Sequence, residues 1–122
     1  MQEERGYKKL IIYKKSKELV METYKMCDAL PKQEFFTLAP QIKRAAVSIL
    51  LNIVEGYNKK SRKEYCRFID ISIGSANELE VLFELTRDLK YLKDNDYDAL
   101  NNKLFEVKKM LYSFQKSLRS RV

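Results

Sequence analysis

Histidine is absent from this 122-residue chain. The commonest general base and the commonest metal ligand are therefore missing together. The Glu-x-x-His pairs that hold carboxylate-bridged metals in helical bundles are excluded with them. Glycine and proline are scarce, at three and two residues. So little punctuation is unusual for a sheet protein and suits a few long helices. No apolar run reaches the roughly 18 residues that a membrane span requires, and the first residues lack the apolar core of a secretory signal. Cysteine occurs only twice, which predicts reduced thiols and a cytoplasmic location instead of a disulfide scaffold. No glycine-rich loop is available to cradle a phosphate, because Gly56 stands alone before Tyr57 and Asn58.

What is present is charge and helical periodicity. Lysine and arginine number 24 against 17 acidic residues, a net +7. That excess favours anionic partners such as RNA, DNA or an anionic membrane, and ordinary solubility charge is the plainer reading. At this length the chain reads as one domain, residues 1–122, with enough material for a core of its own.

Four helices are predicted, over about residues 10–30, 38–55, 61–91 and 95–119. The first carries a stripe through Ile12, Ser16, Leu19, Thr23, Met26 and Leu30 and stops before Pro31. The second has Pro40 in its first turn, and Gly56 suits a left-handed residue just past its end. The third opens on Ser61-Arg62-Lys63-Glu64, a capping box in which the Ser hydroxyl accepts from a backbone N–H and the Glu reaches back. It carries two apolar rows, one through Tyr65, Phe68, Ser72, Ser75, Leu79, Leu82, Thr86 and Leu89, the other through Cys66, Ile69, Ile73, Ala76 and Phe83. Two rows exceed one core's needs and predict a further packing surface. The small residues Gly74, Ser75 and Ala76 predict close approach of a second helix. The fourth helix has one clean seam, Tyr97, Leu100, Leu104, Val107, Leu111, Phe114 and Leu118, with Asp94, Asn95 and Asp96 as cap candidates. Short connections make the architecture an all-α, antiparallel up-down four-helix bundle.

Gln41, Arg44, Ser48, Asn52 and Glu55 fall within about 80° of one another on a helix that is otherwise apolar. They predict an internal polar network, structural more readily than ligand-binding, reaching other helices or another subunit. Glu78, Glu80 and Glu84 alternate with apolar neighbours and read as a solvated stripe before they read as a carboxylate metal site. Cys27 and Cys66 belong at opposite ends of the bundle, too far apart to bridge.

The stretch from Leu38 to Phe68 resembles a known family. Leu38, Gln41, Ile42, Arg44, Ala45, Ala46, Val47, Ser48, Ile49, Asn52, Ile53, Glu55 and Gly56 carry the likeness, continued by Ser61, Glu64, Phe68, Gly74, Ser75, Glu78 and Leu79. The family is that of the small four-helix-bundle proteins encoded in intervening sequences of 23S ribosomal RNA genes, some labelled ribosomal protein S23. Accessory proteins of diversity-generating retroelements are similar. The chain departs from the family pattern at Leu50 and Leu51, where proline and a small residue are usual, and at Val54, where alanine is. The resemblance implies a four-helix protomer, a five-membered ring, and a role connected with nucleic acid without established catalysis. A homo-oligomer, most simply a pentamer, is therefore expected, with no enzymatic activity, cofactor, metal, membrane or small-molecule substrate.

In an up-down bundle the chain's start, the loop between the second and third helices, and the chain's end share one pole. That pole collects Arg5, Lys8, Lys9, Lys14, Lys15, Lys59, Lys60, Arg62, Lys63, Arg67, Lys116, Arg119 and Arg121 against Glu3, Glu4, Glu55 and Glu64. The other pole is richer in carboxylates. Lys59, Lys60, Arg62, Lys63, Arg67, Arg119 and Arg121 are the predicted nucleic-acid contacts. Tyr57 offers a stacking surface beside Lys59 and Lys60, although a buried ring closing the helix end is the simpler expectation. The competing function is a scaffold or partner-binding bundle whose basic charge is incidental.

Overall fold

A computed structural model describes residues 6–120. A 3₁₀ turn, Gly6–Lys9, leads into α1 (Ile11–Asp28). A second 3₁₀ turn, Lys32–Glu34, precedes α2 (Leu38–Tyr57), which is followed by α3 (Arg62–Asp88) and α4 (Asp94–Arg119). Among the described residues there is no strand. α1 packs on α2 and α4, and α3 packs on the same two helices. Cross-contacts give the directions. Ser48 meets Ser75 while Gly56 abuts Tyr65 and Phe68. Lys108 meets Glu80 while Arg119 meets Asp70. Each helix thus runs against its neighbour, and the fold is the antiparallel four-helix bundle that the periodicity predicts.

The core is built from the predicted stripes of α1, α3 and α4 together with Ile42, Ile49 and Ile53 of α2. Leu19, Ile42, Ile49, Ile53, Ile69, Leu79, Phe83, Leu104, Val107 and Leu111 are all essentially inaccessible. Burying one such side chain contributes about 1.5–3 kcal/mol. The hydroxyls in the core are mostly satisfied locally: Thr23 and Thr86 donate to the carbonyls of Leu19 and Leu82, and Ser72 donates across to the carbonyl of Ile49 at 2.9 Å. Ser16 Oγ is buried with no such partner.

Helix ends show both agreement and difference. Ser61 caps α3, its Oγ accepting from the Glu64 N–H at 3.1 Å, but the Glu64 carboxylate makes no return bond among the described residues, so half of the capping box forms. Gly56 does not terminate α2. It lies inside the helix, and an added Cβ would come within 2.8 Å of the Tyr65 ring and 3.0 Å of Phe68 Cβ. Its role is room, not backbone conformation. The left-handed residue is instead Lys90, at φ 68°, after α3. The Lys90 N–H bonds to the Arg87 carbonyl and the Tyr91 N–H to the Thr86 carbonyl, the paired bonds of a Schellman turn. α4 begins one residue before its cap candidates suggested, with Lys93 at the cap position and Asp94 and Asp96 in the first turn.

Both predicted rows of α3 are largely consumed inside the protomer, Leu89 excepted. The other exposed apolar residues, Ile71, Val81 and Leu85, lie outside both rows on the outer side of α3, and Leu89 follows at its end. Gly74 lies with them, and nothing approaches within 4 Å of where its Cβ would be. Close approach to α2 falls on its neighbours, Ser75 and the fully buried Ala76. Phe36, in the α1–α2 connection, is 92 % exposed.

Candidate nucleic-acid interface

The pole formed by the start of α1, the end of α2, the start of α3 and the end of α4 gathers the basic residues. Lys60, Arg62, Lys63 and Arg67 have exposed side chains with no hydrogen bond or ion pair among the described residues. Lys63 and Arg67 are one helical turn apart on α3. With Cys66, Asp70 and Arg119 they line an open hollow of about 520 Å³ between α3 and α4. Asp70 holds Arg119, with its oxygens 3.3 and 3.4 Å from Nη2, and accepts at 2.5 Å from the Gln115 side chain. Lys59 is engaged differently. Its ammonium lies 4.0 Å from the Glu55 carboxylate and 5.1 Å from the centre of the Phe68 ring. The structure therefore brings Lys63, Arg67 and Arg119 together in one hollow and sets Lys59, Lys60 and Arg62 along the α2–α3 loop. Arg121 lies outside the described residues.

The same pole carries an aromatic chain that the sequence reading missed apart from Tyr57. Tyr7 packs edge-on against Tyr13 at 5.2 Å and against Tyr57 at 6.3 Å between ring centres. Tyr57 meets Tyr65 at 6.3 Å, and Tyr65 meets Phe114 at 4.9 Å. Burial, then the neighbouring Tyr57, pushes the Tyr65 hydroxyl up to about 12, and its oxygen has no partner among the described residues. Tyr57 is not buried; it remains 38 % exposed. The up-down topology was the usable signal, since it brings residues 7, 13, 57, 65 and 114 to one pole.

The polar strip of α2 divides. Ser48 Oγ and Ser75 Oγ lie 2.7 Å apart across the α2–α3 seam, and Asn52 donates to the Ser48 carbonyl at 2.8 Å and its hydroxyl at 3.1 Å. Gln41, Arg44 and Glu55 are exposed and do not join this cluster. Glu55 instead faces Lys59 along its own helix.

At the opposite pole Glu34 accepts from Thr37 at 2.6 Å and from the Tyr91 hydroxyl at 2.8 Å. These bonds, Thr37 first, hold its carboxyl below the usual range. Cys27 is buried there, and burial pushes its thiol up to about 11. Both cysteines are free, Cys27 at this pole and Cys66 at the other. Among the described residues no group of three or more Cys, Asp or Glu could hold a metal ion, and no helix is long and apolar enough to cross a membrane.

The fold and this pole define a small all-α bundle with a cationic, tyrosine-lined end. The match to the family model for the 23S rRNA-intervening sequence protein spans residues 8–113, and the chain belongs to that family. A crystal structure from Bacteroides thetaiotaomicron VPI-5482, of a protein with unknown function from the S23 ribosomal protein family, superposes with a TM-score of 0.82 at 30 % identity. The alignment covers 87 % of this chain and 99 % of that one. Among curated proteins none matches.

Proposed function

We propose that this chain is a non-catalytic, self-associating cytoplasmic bundle that binds RNA or DNA electrostatically through its basic pole. The observation that carries the reading is the set of unpaired cations at that pole, Lys60, Arg62, Lys63 and Arg67, beside a hollow completed by Arg119. Cations already neutralised by carboxylates release few counterions from a phosphate backbone; free ones release them and bind. The poles of helices of about 25 residues are roughly 37 Å apart, several times the physiological screening length of about 8 Å. The carboxylates of the far pole therefore leave this potential largely intact. The family description, which ties these proteins to 23S rRNA genes, supports an RNA or DNA partner.

Self-association rests on the outer apolar residues of α3, Ile71, Val81, Leu85 and Leu89, with Leu51 exposed on α2. The family resemblance supplies the number five. Light scattering should then give about five times 14.5 kDa; a monomer at micromolar concentration would sink the assembly. For the binding itself, fluorescence anisotropy over a salt series compares the protein with a variant in which Lys59, Lys60, Arg62 and Lys63 are all changed to Gln. Binding should weaken, and the log–log salt slope should fall by about one for each lost phosphate contact. Unchanged strength and slope in the folded variant rule out the loop.

A scaffold role is the second reading, favoured by the nearly full exposure of Phe36. It takes first place if the unmodified protein binds no nucleic acid at low salt.

A further inference from the structure

We infer that the nucleic acid taken by the basic pole is single-stranded, and that Tyr57 stacks one of its unpaired bases. This rests on the proposed nucleic-acid role and narrows it to a kind of strand. Tyr57 is the last residue of α2 and packs edge-to-face with two tyrosines, Tyr7 at an interplanar angle of 76° and Tyr65 at 81°. A ring pinned in this way loses little further freedom when a base settles on it, and the general cost of ordering a side chain on binding is avoided. It keeps 38 % of its surface open, so the pole is not sealed by it.

Its surroundings fit a strand better than they fit an apolar ligand. Lys59 and Lys60 follow within three residues, and Lys8 and Lys9 are exposed on the 3₁₀ turn whose Tyr7 touches the Tyr57 ring. Gly6 also belongs to this contact: it takes a left-handed φ of 46°, and an added Cβ would lie 3.1 Å from the Tyr57 ring. Cations beside a partly exposed aromatic ring are the combination that binds single strands without sequence preference, one tracking phosphates and the other stacking bases. Inside a duplex the base faces are covered by their neighbours, and only the two terminal pairs leave a face on which the ring could stack.

The test uses anisotropy with a short oligouridylate, a short oligothymidylate and a blunt duplex of equal length. Tyr57→Leu should weaken both single strands by roughly five- to hundredfold, leave duplex binding unchanged and preserve the salt slope, since no charge is lost. Tyr57→Phe should retain single-strand affinity. A second readout guards against a misfolded leucine variant. The chain has no tryptophan, so tyrosine emission reports directly; a single strand should quench it, and Tyr57→Phe should lose part of that quenching while binding normally. Undiminished single-strand binding by folded Tyr57→Leu, or undiminished quenching in Tyr57→Phe, overturns the inference and leaves the basic pole intact. Failure of the unmodified protein to bind any of the three probes at low salt removes the nucleic-acid role and this inference with it.

Discussion

The two poles of the bundle reverse their helices by opposite means. At the basic pole a glycine stands where backbone geometry asks for nothing special. Gly56 is helical, and its missing side chain admits Tyr65 and Phe68 from the next helix. At the acidic pole the backbone does need a left-handed residue, and Lys90 supplies it at φ 68°. The lysine accepts backbone strain so that two carbonyls at the end of α3 are satisfied. Glycine in a helical protein therefore signals close approach as readily as it signals a turn. The poles also differ in their charges. At the acidic pole the Glu34 carboxylate is tied up by Thr37 and Tyr91, whereas several cations at the basic pole have no partner among the described residues.

The largest expected effect falls on Gly56. Gly56→Ala should lower stability by about 1–2 kcal/mol, the overpacking cost outweighing the gain in helix propensity. Gly74→Ala is its control, because the position is open, and should raise stability by about 1 kcal/mol. Urea denaturation of both variants decides; equal shifts would erase the distinction between them. At the other pole Lys90→Gly should stabilise the fold by up to about 1 kcal/mol by relieving the left-handed conformation. A loss of stability there would mean that the lysine side chain matters more than its backbone.

Charge gives a smaller effect. Asp70→Asn frees Arg119 and should tighten nucleic-acid binding roughly two- to fivefold while steepening the salt dependence. Unaltered affinity would place the contact away from the α3–α4 hollow. The thiols should give the mildest contrast. Cys66 lines the hollow and Cys27 is 2 % exposed, so a maleimide should modify Cys66 first, as peptide mapping would show. The raised Cys27 pKa favours the folded state while the thiol is neutral. That contribution is complete below the ordinary thiol value of 9.0 and is lost as the pH rises towards about 11. Alkaline denaturation of Cys27→Ala should show a flatter decline over this window.

The four helices and their seams were legible in the sequence because periodicity and capping are local. Ser61 with Glu64 is decided by residues that touch along one turn. Gly56 was not legible, since its reason lies in Tyr65 and Phe68, which return only after the chain has reversed. The polar strip of α2 failed in part for a related reason. A helical projection places Gln41, Arg44, Ser48, Asn52 and Glu55 on one side, but not the angle at which that side meets α3. Only Ser48, at the middle of the strip, and Asn52, at one edge, reach the seam with Ser75; Gln41 projects between them but sits about two turns away along the helix. On α3 what stayed hidden was that the protomer uses nearly all of both apolar rows, leaving Leu89 of the first row outside with Ile71, Val81 and Leu85. Among the predicted contacts, Lys63, Arg67 and Arg119 converge, but the Asp70 clamp on Arg119 needed the packing of α3 against α4.

Neighbour-to-neighbour packing has a kinetic consequence. α1 meets α2, α2 meets α3 and α3 meets α4, each across a short connection. Among these helix pairings that of α1 with α4 joins the most distant parts of the chain, and it is bridged by Lys15 with Glu106 and Lys103 with Glu18. Helical hairpins with local contacts form quickly, on the microsecond to millisecond scale. The α1–α4 seam demands the longest loop closure and is therefore the natural last step to form and the first to open. Substitutions along it should speed unfolding while leaving the folding rate nearly unchanged.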